Sequence, residues 1–305
     1  MRISLKVDVD TYRGTLEGVP ALLRLFDRHQ VRATFLFSLG PDHTGRALRR
    51  VLRPGFLKKV RRTSVASHYG FKTLMYGVLL PGPHIGRRAG ALMRSIADAG
   101  HEVGIHCYDH VRWQDFVAQR DAAWTRREMQ RAADAFQAVF GRPARVHGAA
   151  GWQLNPHTLS LEEELGFPYA SDVRGESAFF PVFEGVESRC LQIPTTLPTL
   201  DELIGRDGIT QENVHKHVYF ESLRQLPGGH VYTLHAELEG MQLLPVMEKL
   251  LELWKKDEAE LCTLEDSYGS LDTSVLPRHR IEWGRVEGRS GRLAVQGLRV
   301  DEAAS

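Results

Sequence analysis

The sequence predicts an α/β protein built on a parallel sheet, open or closed into a barrel. Three observations carry that prediction. Segments of strand and helix character alternate along the 305 residues, the order that a parallel sheet with crossover helices requires. The opening stretch alternates strictly, with Ile3, Leu5, Val7 and Val9 on one side and Ser4, Lys6, Asp8 and Asp10 on the other, which is strand periodicity. Asp8 and Asp10 then fall at the carboxyl end of this strand, where α/β folds assemble their sites.

The remaining elements follow in order. Pro20 opens a helical run, ALLRLFDRHQ, as a first-turn proline does. A second strand is expected over residues 31–39, and a long insertion over about 42–83 separates it from the helix RRAGALMRSIADAG, closed by Gly100. A short strand follows over 102–105, one helix over 115–140, and a strand near Val146. In NPHTLSLEEELG, Asn155 is the N-cap, Pro156 the first helical residue and Gly166 the stop. Further strands are expected over 168–171, 191–193, 230–235 and 260–264. Beyond about Asp272 periodicity is lost, so the chain divides into one domain over 1–272 and a basic, glycine-containing appendage over 273–305.

Composition narrows the classes. With 42% hydrophobic and 25% charged residues the chain has an ordinary globular make-up, which excludes intrinsic disorder and disulfide miniproteins. Cys107, Cys190 and Cys262 are an odd, widely spaced set without a C-x-x-C pair, which fits a reducing cytosol. The start MRISLKVDVD has no continuous apolar run, so no signal peptide is expected. No apolar stretch approaches the roughly 20 residues of a membrane span.

Charge is distributed unevenly. Between His43 and Ala97 there is no acidic residue but twelve basic ones, among them Arg46, Arg49, Arg50, Arg53, Lys58, Lys59, Arg61 and Arg62. The rest of the chain sets 27 basic residues against all 38 acidic ones. The same region carries Phe56, Leu57, Val60 and the stripe from Phe71 to Leu80. Basic and apolar together suit an anionic membrane surface rather than nucleic acid, whose grooves need no Leu/Met/Val stripe.

Several residues can do chemistry. Asp8 and Asp10 sit close on one face, so a metal ion or a proton between them is the natural relief of their repulsion. His106 and His110 follow the strand HEVGI at i and i+4 and can meet one metal if the intervening turn is helical. Two histidines and one carboxylate form a three-ligand set that leaves positions open for water and substrate. His235 ends the strand VYTLH and can serve as a general acid near neutral pH. Asp172 is a candidate partner for fixing its tautomer, and Arg174 can neutralise a carboxylate or bind phosphate.

These motifs resemble the polysaccharide deacetylase (NodB-like) superfamily: D-V-D near the start, H-x-x-x-H after a middle strand, and L-H late in the chain. Longer stretches, VDVDTYRGTLEGVP, HEVGIHCYDH, SDVRG, IPTTLPTLDELIGRD and VYTLHAELEG, are similar to its branch that deformylates undecaprenyl-phosphate-linked 4-deoxy-4-formamido-L-arabinose in lipid A modification and polymyxin resistance. The resemblance implies a distorted (β/α) barrel with one divalent metal, of which Zn, Mn, Co and Fe all suit such ligands. It assigns Asp8 as general base, Asp10, His106 and His110 as metal ligands and His235 as general acid. It also implies a polyprenyl-phosphate-linked aminosugar as substrate and a peripheral place on the cytoplasmic face of the bacterial inner membrane.

The sequence departs from the superfamily in three places. The first motif is Asp-Val-Asp-Thr rather than adjacent aspartates followed by Gly, and Cys107 fills the usual Ser/Thr slot after the first histidine. The arginine that often supports the base is absent from HGAAGWQ, which makes Arg174 the candidate replacement. A metal-dependent D-x-D glycosyltransferase is the alternative enzyme class, but it leaves His106, His110 and His235 idle. A catalytically dead lipid- or glycan-binding module is the third.

Overall fold

The structure is a computed structural model that describes residues 1–47 and 71–300. Most of the basic cluster, from Arg49 to Arg62, lies outside the described residues.

In chain order the strands are β1 (Arg2–Val9), β2 (Thr34–Ser38), β3 (Glu102–Cys107), β4 (Val146–His147), β5 (Tyr169–Ala170), β6 (Phe180–Phe183), β7 (Val186–Glu187), β8 (Leu191–Gln192), β9 (His230–His235), β10 (Glu260–Cys262), β11 (Arg278–Gly284) and β12 (Leu293–Arg299). The α-helices are α1 (Val19–His29), α2 (Phe71–Met75), α3 (Ile85–Asp98), α4 (His110–Phe116), α5 (Ala122–Phe140), α6 (Pro156–Glu164), α7 (Leu200–Leu203), α8 (Val214–Ser222), α9 (Leu244–Lys256) and α10 (Leu264–Gly269).

The main sheet is wholly parallel and runs β9-β1-β2-β3-β4-β5-β8, with β10 paired to the first residues of β1. It curls until its ends meet. The amides of Thr196 and Leu197, just past β8, donate to the carbonyl of Val231 in β9 at 3.1 and 3.2 Å. The result is the distorted (β/α) barrel expected.

Both faces of β1 are buried, each for a different purpose. Ile3, Leu5, Val7 and Val9 face outward into the core shared with Leu22, Leu25 and Phe26 of α1 and with Phe35 and Phe37 of β2. Inside the barrel, Leu36, Val146, Tyr169, Leu191, Val231 and Leu264 form an apolar plug. The polar face of β1 is buried as well, with Ser4, Lys6, Asp8 and Asp10 each at most 8% exposed. An alternating strand with polar residues on its inner face therefore lines a site.

Local chemistry sets most element ends. Asn155 caps α6 by accepting from the amide of Thr158 at 3.1 Å, with Pro156 in the first turn. Gly100 and Gly166, at φ 82° and 78°, supply the left-handed residues past α3 and α6. The helix expected over 115–140 is divided. Asp121 accepts from the amide of Trp124 at 2.8 Å and starts α5 afresh, after α4 and a short 3-10 turn over Val117–Gln119.

The region after Asp272 is also more regular than its lost periodicity predicts. β11 and β12 pair antiparallel, and β11 joins β6 of the β6–β7 hairpin in a second, four-stranded sheet. Ile281 and Ala294 from the hairpin pack with Val173, Phe179 and Phe183, fastening the tail over the loops that follow β4 and β5.

Candidate metal centre and active site

The inner face of β1 brings its polar residues upward in layers. Register places Lys6 beside Thr233, and Asp8 beside His235, on the neighbouring strand β9. Residues paired in this way share a face of the sheet, so Asp8 and His235 look into the same end of the barrel. The amide of Ala236 donates to the carbonyl of Asp8 at 3.0 Å and pins the two strand ends together.

Asp10, one step beyond, meets both histidines. Its Oδ1 lies 3.2 Å from Nε2 of His106 and 3.3 Å from Nε2 of His110, and the two rings stack with centroids 5.3 Å apart. His106 is the penultimate residue of β3, whereas His110 is the first residue of α4, capped by Asp109. The two histidines thus converge across a strand-to-helix corner, not along one helical turn as their spacing suggests. Burial would raise the Asp10 carboxyl, but His110 and His106 hold it far below the ordinary range.

The donor set fits a divalent metal. Asp10 Oδ1 is buried without a hydrogen-bond partner, and one donor atom from each of Asp10, His106 and His110 lies within 4.8 Å of the others. Ligands about 2.1 Å from one tetrahedral ion stand roughly 3.4 Å apart, close to the spacings found. Nδ1 of His106 donates to the carbonyl of Gly148 at 2.6 Å, which turns Nε2 toward Asp10 and leaves it as the nitrogen a metal would take. His110 and His235 are the partly exposed members and open the site to solvent.

Behind the donors lie acids not singled out from the sequence. Glu237 Oε1 accepts from the amides of Asp10 and Thr11 at 3.1 and 2.8 Å, fixing the turn that carries Asp10. Glu239 accepts from the amide of His235 at 2.8 Å, and burial lifts its carboxyl to about 7. Both belong to HAELEG, where a glutamate at every second position past the strand end was the available signal.

Two expected partnerships are replaced. Asp172 does not fix His235; it lies 3.0 Å from Nδ1 of His147 and accepts from the amide of Ala149 and from Gln192. Glu162 of α6 reaches the same imidazole nitrogen at 2.7 Å. Burial opposes charge on His147, but Asp172 and Glu162 lift it to about 10. Arg174 does not reach Asp8; its Nη1 meets Glu202 at 2.6 Å, its Nη2 donates to the carbonyl of Leu197, and its guanidinium lies 5.0 Å from the centre of the Trp152 ring. Each side chain is held by partners of its own, and neither is among the convergent metal donors.

Lys6 was the other unrecognised residue, though its place on the Asp8–Asp10 face was legible. Its ammonium donates to the carbonyl of Ser171 at 2.8 Å and lies 3.8 Å from Asp8 Oδ2. The three cysteines are free and buried. Among the described residues no helix is long and apolar enough to cross a membrane.

A curled parallel barrel with an Asp-His-His donor set beside a second aspartate and a strand-end histidine defines a class. Residues 3–170 match the polysaccharide deacetylase family, and the chain belongs to it. More particularly, it is 37% identical over 311 residues to the probable 4-deoxy-4-formamido-L-arabinose-phosphoundecaprenol deformylase ArnD of Shewanella sediminis, covering 100% of this chain and 97% of that protein. A protein of the same description from Wigglesworthia glossinidia brevipalpis is 31% identical over 93% of this chain and 98% of its own length. The fold is shared with a putative polysaccharide deacetylase from Mycobacterium smegmatis, at a TM-score of 0.63, 17% identity and coverage of 93% and 94% of the two chains. A probable polysaccharide deacetylase from Pseudomonas aeruginosa superposes with a TM-score of 0.58 at 16% identity, over 87% of this chain and 89% of its own.

Proposed function

We propose that this chain hydrolyses the formamide of undecaprenyl-phosphate-linked 4-deoxy-4-formamido-L-arabinose, yielding formate and the 4-amino sugar. One observation carries the reading. Asp8 and His235 are paired in register across β1 and β9, beside the convergent donors of Asp10, His106 and His110. That supplies a base, an acid and a metal seat at one barrel mouth, as amide hydrolysis requires.

Asp10, His106 and His110 would hold the divalent ion, which when bound polarises the formyl oxygen and lowers the pKa of water. Asp8 accepts the proton of the attacking water. Asp8 Oδ1 makes no hydrogen bond within the protein, so the carboxylate is not saturated by its neighbours. His235 then gives a proton to the departing amine. Its Nδ1 also lacks a hydrogen-bond partner, while Glu239 fixes its backbone. Asp172 and Arg174 act at a distance, by holding the loops after β4 and β8 that wall the site.

The lipid-linked substrate places the enzyme on the cytoplasmic face of the inner membrane, as a peripheral protein. Support comes from the acid-free run between His43 and Ala97 and from the exposed apolar side chains of Val78, Leu79 and Leu80 within it.

The function is tested by offering the metal-loaded protein the lipid-linked formamido sugar and its acetamido counterpart. Formate release without matching acetate release is expected. Preferred release of acetate would make it another carbohydrate N-deacetylase. Metal-dependent binding of a UDP-sugar, with neither acid released, would favour the glycosyltransferase reading.

A further inference from the structure

Asp8 lacks the supporting arginine that the family resemblance implies. HGAAGWQ contains none, and Arg174 is committed to Glu202. A different cation stands in the layer below. Lys6 precedes Asp8 by two residues on the same strand, so both side chains project into the barrel from one face.

The environment of Lys6 is unusual for a lysine. Its side chain is fully buried, the only lysine so enclosed among the described residues. A buried ammonium is costly unless paired, and three groups compensate this one. The carbonyl of Ser171 accepts at 2.8 Å, the Trp152 ring centre lies 5.6 Å away, and Asp8 Oδ2 lies 3.8 Å away. The other Asp8 oxygen, Oδ1, has no hydrogen-bond partner and lies 3.9 Å from His106. The Asp8 carboxylate is thus within ion-pair range of Lys6 through Oδ2 and makes no hydrogen bond through Oδ1.

We propose that Lys6 is the positioning residue of the Asp8 base, holding its carboxylate back from the metal donors so that it stays available to the attacking water. The inference rests on the reading of Asp8 as base. Lys6 does not touch the substrate; it acts through Asp8. Its removal has two opposite consequences. Asp8, freed and only two residues from Asp10, can turn toward the metal as an extra carboxylate ligand. Metal binding then tightens while turnover falls. A residue needed only for folding would lose both together.

The test compares wild type with Lys6→Met, a nearly isosteric apolar change, and with Lys6→Ala. Cobalt(II) affinity is measured by competition with a chromophoric chelator, and coordination by the visible absorption of the cobalt form. For Lys6→Met we expect kcat to fall about 100-fold, the scale of a misplaced reacting group, with KM little changed. Cobalt should be held at least as tightly, with an altered spectrum. Small alkylamines should restore turnover to Lys6→Ala but not to Asp8→Asn. Unchanged kcat in Lys6→Met overturns the proposal. Joint loss of cobalt and turnover, with no amine rescue, assigns Lys6 to the scaffold and overturns it equally. If Asp8→Asn keeps its turnover, the base reading itself fails; if Asp8→Asn is dead and Lys6→Met is normal, the Lys6 proposal alone fails.

Discussion

Nδ1 of His106 donates to the carbonyl oxygen of Gly148 across 2.6 Å. This bond orients the ring of a candidate metal ligand from its far side. Gly148 can take that position because it has no side chain; a Cβ there would run into Leu36 and press on the carbonyl of Ser171. Gly148→Ala should displace the loop and weaken metal binding by about 10–100-fold, the usual cost of disturbing a ligand's outer partner. A chelator competition assay measures it. Wild-type affinity would show that the carbonyl does not orient His106.

The acid and base separate from the metal ligands by what each loses. Asp8→Asn should keep its metal and lose nearly all turnover, because an amide cannot take the proton of water. His235→Asn should also keep metal, with a rate lower by roughly 10²–10⁴-fold. His106→Ala should lose metal and turnover together. If Asp8→Asn strips the metal while Asp10→Asn retains it, the two aspartates exchange roles.

Much of this site was legible in the sequence. Strict alternation marked β1, the N-cap and proline marked α6, and Asp8, Asp10, His106 and His235 stood at or next to strand ends, with His110 four residues past His106. What escaped depends on strand pairing and curvature. Asp172 meets His147 because β4 and β5 pair side by side, and Lys6 meets Ser171 because the sheet bends to bring β1 and β5 around one interior. No spacing in the chain encodes that bend. The second sheet escaped for another reason. β6 and β7 are short, and the exposed residues of β11 and β12 blur the alternation that a buried strand would show.

The buried His147–Asp172–Glu162 cluster gives stability a pH signature. Asp172 and Glu162 raise His147 from its ordinary 6.5 to about 10 against the effect of burial. Its contribution is therefore complete below about pH 6.5 and lost as pH rises through about 10. Asp172 is pushed up by burial but drawn down by His147 to about 2, so its share is present above about pH 4 and lost as pH falls through about 2. His147→Ala leaves two buried carboxyls facing each other and should cost about 3–5 kcal/mol at neutral pH. It should also flatten the alkaline decline in Tm of the metal-free protein. Urea titrations and melts between pH 7 and 10 check both, and an alkaline decline shared by wild type and variant would contradict the assignment.

Membrane recruitment should be electrostatic and salt-sensitive, since each Lys or Arg near an anionic surface contributes about 1 kcal/mol and exposed charges are screened beyond about 8 Å at physiological salt. Wild type should float with anionic vesicles at low salt, and less with neutral ones. Changing Lys58, Lys59, Arg61 and Arg62 to Glu should leave the protein unbound with its metal intact. Equal flotation of both proteins would reduce the cluster to a solvated face.

The most direct measurement is of formate released from undecaprenyl-phosphate-linked 4-deoxy-4-formamido-L-arabinose in ¹⁸O-labelled water, using metal-loaded wild type and Asp8→Asn side by side. Hydrolysis at this site predicts singly labelled formate, equal in amount to the free amine formed, from wild type alone. Wild-type protein with a full metal complement that releases no formate, or an Asp8→Asn protein that releases as much, would contradict it.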